Sequence, residues 1–241
     1  MGVRTPDAPD YEWRGRTGPF TLRLAPNVFE PSRTSLLLAD SLEIGAGDTV
    51  IDVGAGCGVL SFVAARLGAG RVYGTDVVPE AVEVAKENAV ALGLDDRIEF
   101  RAGSLLEPLD GVVADVVIGD VSGIPDEVAA LTDWFPGGHA GGPTGAEMPI
   151  AMLEGVADHL RRGGTMFLPT GTIQDESSVL RAARRIFGDA IERVAEKEFP
   201  LPAIVSRSKA VARLASDGLL RLRRRGSRLL WRLAVWRCVR A

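Results

Sequence analysis

From Thr49 to Gly68 the chain reads TVIDVGAGCGVLSFVAARLG, an apolar strand that runs through Asp-x-Gly-x-Gly-x-Gly (Asp52 to Gly58) into a helix. The run Val50, Ile51, Val53 is apolar enough for the middle of a parallel sheet covered on both faces. Glycines at 54, 56 and 58 let the backbone turn sharply and leave no Cβ between the main chain and a ligand. The helix that follows points its N-terminus at whatever lies there. A dinucleotide-binding turn has the same glycine-rich form, so this stretch alone leaves the ligand open.

The flanking sequence narrows the choice. Arg71 to Thr75 predicts a second strand that ends at Asp76, and Pro79 to Leu92 an amphipathic helix. Asp76 stands 18 residues beyond Gly58, where a carboxylate at a strand tip accepts the hydroxyls of a ribose. Ile98 to Arg101, Ala114 to Gly119 and Thr165 to Pro169 read as further strands, and Met148 to Leu160 and Ser178 to Ile186 as helices. Ile191 to Leu201 reads as a strand ending in a Pro-rich turn. This alternation predicts an α/β fold with a Rossmann-like, doubly wound sheet.

Ahead of the core, Tyr11 to Arg16 and Phe20 to Leu24 flank Thr17-Gly18-Pro19 as a short hairpin, and residues 1 to 10 read as disordered. Ser32 or Thr34 is the expected cap of a helix carrying Leu36, Leu37, Leu38 and Leu42. In the tail, Trp231, Leu233 and Val235 alternate with Arg232, Ala234 and Trp236, a period of two that favours a strand over a basic helix. The expected strands Leu219 to Arg223 and Leu229 to Val239 then form a closing hairpin around Arg224-Arg225-Gly226-Ser227. The chain divides into an N-terminal tail, hairpin and lid helix (1–45), a core (46–204) and a basic C-terminal extension (205–241) of the same domain.

At 241 residues and 46% hydrophobic content, the chain is long enough to bury one sizeable core. No apolar run reaches the roughly 18 residues of a membrane span, and the N-terminus lacks the apolar core of a signal peptide, so a cytoplasmic protein is expected. Cys57 and Cys238 are the two cysteines, too far apart in sequence to suggest a disulfide framework or a metal site. The net charge of −4 conceals an asymmetry: residues 209–241 carry +9 and residues 1–208 carry −13. An acidic body disfavours nucleic acid, whereas the basic tail suits an acidic partner or the body of a second subunit in a homodimer. Alternatively, the cluster Arg221, Arg223, Arg224, Arg225, Arg228, Arg232 is a solvated strand edge that discourages aggregation.

The succession from Val50 to Glu107, with its second-strand acid, its Glu87-Asn88-Ala89 helix and its Gly103-Ser104 at the end of the third strand, resembles the cofactor half of class I S-adenosylmethionine-dependent methyltransferases. The likeness covers roughly residues 28 to 200. Within the class it is most similar to the methyltransferases of ribosomal proteins, with a second likeness to release-factor glutamine and protein arginine methyltransferases. The resemblance implies a seven-stranded, mostly parallel sheet with an antiparallel last strand, and S-adenosylmethionine as cofactor. Carried onto this chain, it implies that Asp52 orients the methionine end through water and that Gly54, Ala55, Gly56 and Gly58 admit its backbone. It further implies that Asp76 takes the ribose hydroxyls, Val77 flanks the adenine, and Gly103 and Ser104 lie by its amino group. Val28 to Ser32, with Phe29, resembles the segment that covers the cofactor.

The acceptor end departs from these relatives. Where they have Asn-Pro-Pro-Tyr or an Asn-Ile-Leu type sequence, this chain has Asp120-Val121-Ser122-Gly123-Ile124-Pro125. About 45 residues precede the first core strand, short for a separate docking domain. Both features lead to the expectation of a small metabolite or short peptide as acceptor, methylated on nitrogen. A protein acceptor, an oxygen acceptor and a non-catalytic cofactor-binding protein are the alternatives. An amine becomes more cationic as it attacks, so a carboxylate beside it stabilises the developing charge. Asp120, Asp126 and Glu127 are the candidate acids, with a helix cap and its dipole partners as their structural alternative. Trp134, Phe135 and His139 are candidates for a pocket wall, His139 as a base near neutral pH. Cys57 reads as a packing residue.

Overall fold

The computed structural model describes residues 10–132 and 140–241. Chain order is a hairpin of β1 (Asp10–Trp13) and β2 (Phe20–Arg23), helix α1 (Arg33–Ser41), then β3 (Thr49–Val53), α2 (Val59–Leu67), β4 (Arg71–Asp76), α3 (Pro79–Ala91), β5 (Ile98–Ala102) and β6 (Ala114–Gly119). After a short α4 (Asp126–Ala129) come α5 (Glu147–His159), β7 (Leu160–Gly171), α6 (Glu176–Phe187) and β8 (Ile191–Pro200). The chain closes with α7 (Ala203–Ser206), α8 (Lys209–Ser216), β9 (Arg223–Arg225) and β10 (Arg228–Val239).

The main sheet runs β5-β4-β3-β6-β7-β10-β8, with β9 paired to the end of β10. Its β5-to-β7 half is parallel, whereas β10 is antiparallel to both neighbours. The fold is therefore the expected α/β doubly wound one, with an antiparallel strand near the end of the sheet. Val50, Ile51 and Val53 are fully buried in its middle. One face is covered by α1, α2 and α3 around Leu38, Phe62 and Ala85, and the other by α5 and α6 around Leu153, Val156 and Val179.

Two strand expectations need correction. The fifth core strand extends over Leu160–Gly171 rather than Thr165 to Pro169, because β10 pairs along it from Thr165 to Gly171 while Ala114 of β6 meets Leu160. The strand expected over Leu219 to Arg223 is also absent, and only Arg223–Arg225 pairs with β10. Leu220 is instead buried with Val205, Val211 and Leu214 in a small cluster under α7 and α8, where apolar burial outweighs ladder formation.

The N-terminal hairpin and α1 are held by two side chains. Ser32 caps α1, accepting from the Thr34 and Ser35 N–H groups, while Ser35 Oγ accepts from the Ser32 N–H. Asn88, buried on α3, donates to the Arg23 and Cys57 carbonyls and accepts from the Arg23 N–H at 2.7 Å. It thereby ties the N-terminal hairpin to the glycine turn. In the tail, Arg213, Arg223, Arg232 and Arg237 pair with Glu127, Glu198, Glu176 and Glu43, so part of the charge asymmetry is neutralised within the chain. Among the described residues, no helix is long and apolar enough to cross a membrane.

Candidate active site

The carboxyl ends of β3, β4, β6 and β7, with the segment after β5, open onto one cavity of about 560 Å³, where open parallel sheets take their ligands. Gly54, Ala55, Gly56, Asp76, Val77 and Ser104 line one end of it. Thr75 O accepts from both the Gly54 and Ala55 N–H groups at 2.9 Å, which clamps the glycine turn to β4. Asp76 Oδ2 accepts from Gly56 N–H and Oδ1 from Val78 N–H, both at 2.9 Å, so the carboxylate is fixed at the mouth of the turn. Gly54 has φ +78°, and a Cβ there would lie 2.6 Å from the Asp120 carbonyl. No side chain fits that close approach of β3 to β6.

Asp52 lies beneath the turn, fully buried and outside the cavity lining. Its Oδ2 accepts from Ser61 Oγ at 2.7 Å, and its Oδ1 has no partner among the described residues. Burial pushes its pKa up to about 7 against the opposing Ser61 bond, and the charges of Asp120 and Asp76 raise it further. Gly58 is the N-cap of α2, and Gly103 donates its N–H to the Asp76 carbonyl at 3.0 Å; neither lines the cavity. Phe29 and Ser32 of the lid segment do line it. Cys57 is buried, and that burial pushes its thiol up to about 12, which suits packing.

Asp120 stands half-buried on the cavity wall at the end of β6. Ser35 Oγ donates to its Oδ2 at 3.3 Å, linking the lid helix to this carboxylate. Its surroundings push the pKa up to about 6 by desolvation, which the Ser35 bond partly offsets. Beyond Asp120 the cavity is walled by Pro169, Phe199, Trp231 and Leu233, with the Phe199 and Trp231 rings 5.6 Å apart. Three polar groups here were missed in the sequence. Among the described residues Ser122 Oγ and Gln174 Nε2 are buried without a partner, and Arg33 lies 4.8 Å over the Phe199 ring. Gln174 follows the end of β7, a position that the strand-end rule for ligand sites points to.

Asp126 and Glu127 are not brought to the cavity. Pro125 starts α4 there and turns the chain outward, so Asp126 accepts from Gly142 N–H at 3.1 Å and Glu127 pairs with Arg213 at 2.7 Å. Trp134, Phe135 and His139 lie outside the described residues.

The residues present suit S-adenosylmethionine. Asp76 offers remaining lone pairs to ribose hydroxyls, and a Cβ at Gly56 would meet nothing nearer than the Phe29 carbonyl at 3.7 Å, leaving the turn open to the cavity. The unpartnered Asp52 oxygen and Asp120 supply negative potential for a ligand that carries an ammonium and a sulfonium.

Comparison with known proteins agrees. A family model described as Ribosomal protein L11 methyltransferase (PrmA) matches residues 32–139. A putative protein N5-glutamine methyltransferase of Methanocaldococcus jannaschii is 26% identical over 185 residues, covering 76% of this chain and 92% of that protein. A ribosomal protein L11 methyltransferase of Pelotomaculum thermopropionicum is 37% identical over 147 residues, covering 58% of this chain; the chain spans 47% of its length. Among solved structures, the ribosomal protein L11 methylase of Lactobacillus delbrueckii subsp. bulgaricus superposes with a TM-score of 0.55 at 19% identity, over 89% of this chain and 83% of that one. Fold, glycine turn and relatives together make this chain a class I S-adenosylmethionine-dependent methyltransferase. Within that class its likeness is to the ribosomal-protein and glutamine methyltransferases.

Proposed function

We propose that this methyltransferase acts on a nitrogen carried by a protein or peptide, which reaches Asp120 through a single extended side chain or chain end. The observation that carries this reading is the half-buried Asp120 carboxylate at the end of β6, on the wall of the cavity that opens from the glycine turn. A volume of about 560 Å³ is that of a small-molecule site, so cofactor and acceptor group share a narrow space that excludes a folded domain. The likeness to protein glutamine and ribosomal-protein methyltransferases supports a protein acceptor over the small metabolite expected from the altered acceptor motif.

When bound, S-adenosylmethionine supplies an electrophilic methyl group on a sulfonium. In this reading Asp76 holds the ribose hydroxyls, the buried Asp52 contributes negative potential from beneath the turn, and Gly54 to Gly56 let the cofactor approach the sheet. Asp120 accepts a hydrogen bond from the attacking nitrogen, aligns its lone pair, and stabilises the positive charge that grows as the N–C bond forms. With a pKa near 6, the Asp120 carboxylate is ionised at neutral pH and able to take the proton that the nitrogen releases. Apolar walls at Phe199, Trp231 and Leu233 keep water from the reacting nitrogen.

Methyl transfer from labelled S-adenosylmethionine to peptide arrays and to protein and small-molecule fractions tests this reading. The label is expected on nitrogen in the protein or peptide fraction, with Asp120→Asn lowering kcat about 100-fold and leaving S-adenosylhomocysteine affinity within about 2-fold. Label confined to small molecules, or wild-type turnover in the variant, refutes it.

A further inference from the structure

The acceptor end of the cavity holds more hydrogen-bond donors than the chain itself satisfies. Gln174 is 4% exposed, and its Nε2 is buried without a partner among the described residues. A buried amide left in that state is costly unless something else accepts from it. Its backbone is pinned by bonds from the Gln174 N–H to Gly171 O at 3.1 Å and from the Asp175 N–H to Thr144 O at 3.0 Å, and its side chain packs against Gly123, where a Cβ would overlap Oε1. Ser122 Oγ, buried and likewise without a partner, lines the same cavity.

Arg33 supplies a full positive charge at this end. It is exposed at the start of α1, lines the cavity, and rests on the face of Phe199. Among the described residues it makes no hydrogen bond or ion pair, unlike Arg213, Arg223, Arg232 and Arg237. Pro200 lines both this cavity and a neighbouring recess that carries Arg225, Arg228 and Glu198, the last of these paired with Arg223. Asp120 and Asp76 are the carboxylates that line the same cavity, Asp76 at its glycine-turn end.

We propose that the acceptor is a nitrogen nucleophile with a carboxylate close to it, the nitrogen against Asp120 and the carboxylate held by Gln174 Nε2 and the Arg33 guanidinium. This rests on the nitrogen-acceptor reading and adds the chemical class of the acceptor. A flat guanidinium braced on an aromatic ring and a fixed amide N–H are suited to the two oxygens of a carboxylate. An acceptor with nitrogen alone leaves Gln174 buried and unsatisfied, so the site discriminates against it.

The test is binding, so it does not depend on methyl transfer. Protein saturated with S-adenosylhomocysteine is titrated calorimetrically with 5-aminopentanoate and with pentylamine, which share an ammonium and a carbon chain and differ in the carboxylate. The carboxylate-bearing probe is expected to bind about 10-fold more tightly, as a charge-assisted contact implies. Arg33→Met, a surface change, and Gln174→Glu, which keeps the side chain's shape, should each bring the two probes within about 2-fold, with cofactor-product affinity as the check on folding. Nα-acetyl-lysine and acetyl-Lys-Glu-amide then separate a chain-terminal carboxylate from an acidic neighbour, with acetyl-lysine-amide as the neutral control. Equal binding of the first two probes, binding of neither, or a preference unchanged in both variants overturns the proposal. Tighter binding of aminopropyl phosphate than of 5-aminopentanoate also overturns it, in favour of a phosphate-bearing acceptor. Protein that shows the carboxylate preference but labels no peptide leaves this inference standing and removes the peptide-acceptor reading.

Discussion

Replacing Asp52 with Asn should make the ligand-free protein more stable in alkaline than in acidic buffer relative to wild type. Burial raises the Asp52 pKa from 3.8 to about 7, so the folded state binds a proton more tightly than the unfolded chain does. A carboxyl with a raised folded pKa contributes stability that is complete below about pH 4 and is lost as pH rises through about 7. At about 1.4 kcal/mol per unit, the shift corresponds to a loss on the order of 4 kcal/mol across that window. Asp120, raised to about 6, adds a loss of the same sign that ends about one unit earlier. Asparagine keeps an oxygen for the Ser61 Oγ–H, brings an N–H₂ to the unpartnered Oδ1 position, and has no proton to lose. Thermal unfolding of both proteins from about pH 4 to pH 8 should therefore show the Asn variant gaining on wild type. For a chain of this size the gain is on the order of 8–16 °C in Tm by pH 8. Saturating S-adenosylhomocysteine, whose ammonium favours the ionised carboxylate, should shrink the difference, and the variant should bind that ligand more weakly. Parallel pH profiles for the two ligand-free proteins would show that Asp52 does not carry a raised pKa, and the reasoning fails.

Asn88→Ala removes one side chain that satisfies the Arg23 N–H, the Arg23 carbonyl and the Cys57 carbonyl, so it should cost about 2–4 kcal/mol in urea unfolding. It should also loosen the hairpin before the sheet, which hydrogen exchange at residues 10–23 would register; protection unchanged there contradicts the tie. Gly54→Ala forces a side chain into φ +78° and against the Asp120 carbonyl, and should cost at least ~2 kcal/mol while abolishing S-adenosylhomocysteine binding measured by calorimetry. Normal binding by that variant would mean that the contact between β3 and β6 yields easily.

The glycine turn and the strand that precedes it were legible because their requirements are local. A glycine turn after an apolar strand and an acid at the next strand tip occupy fixed positions along the chain, and the structure adds that Asp76 accepts from the Gly56 N–H. The far end of the cavity is assembled from distant segments. Arg33 follows a helix cap, Gln174 follows β7, Phe199 and Trp231 belong to paired strands, and nothing in their local sequence brings them together. Asp126 and Glu127 show the opposite error. They lie six and seven positions from Asp120, but α4 turns them toward Gly142 and Arg213. The alternation from Trp231 to Trp236 marked β10 as a strand, whereas its place between β7 and β8 depends on two long-range pairings. The short β9 yielded to the burial of Leu220.

The insertion of β10 between two strands made earlier in the chain has a consequence for the order of assembly. Strands β3 to β7 pair with one another directly, so the half of the sheet that carries the glycine turn and Asp76 can form while the ribosome is still adding residues. Strand β8 has no partner in the main sheet until β10 arrives, 28 residues after Pro200. The ring pair Phe199 and Trp231 spans that same gap. In a nascent chain the strands around the glycine turn can therefore pair before Phe199 and Trp231 meet, and non-local pairing of that kind forms more slowly than local contacts.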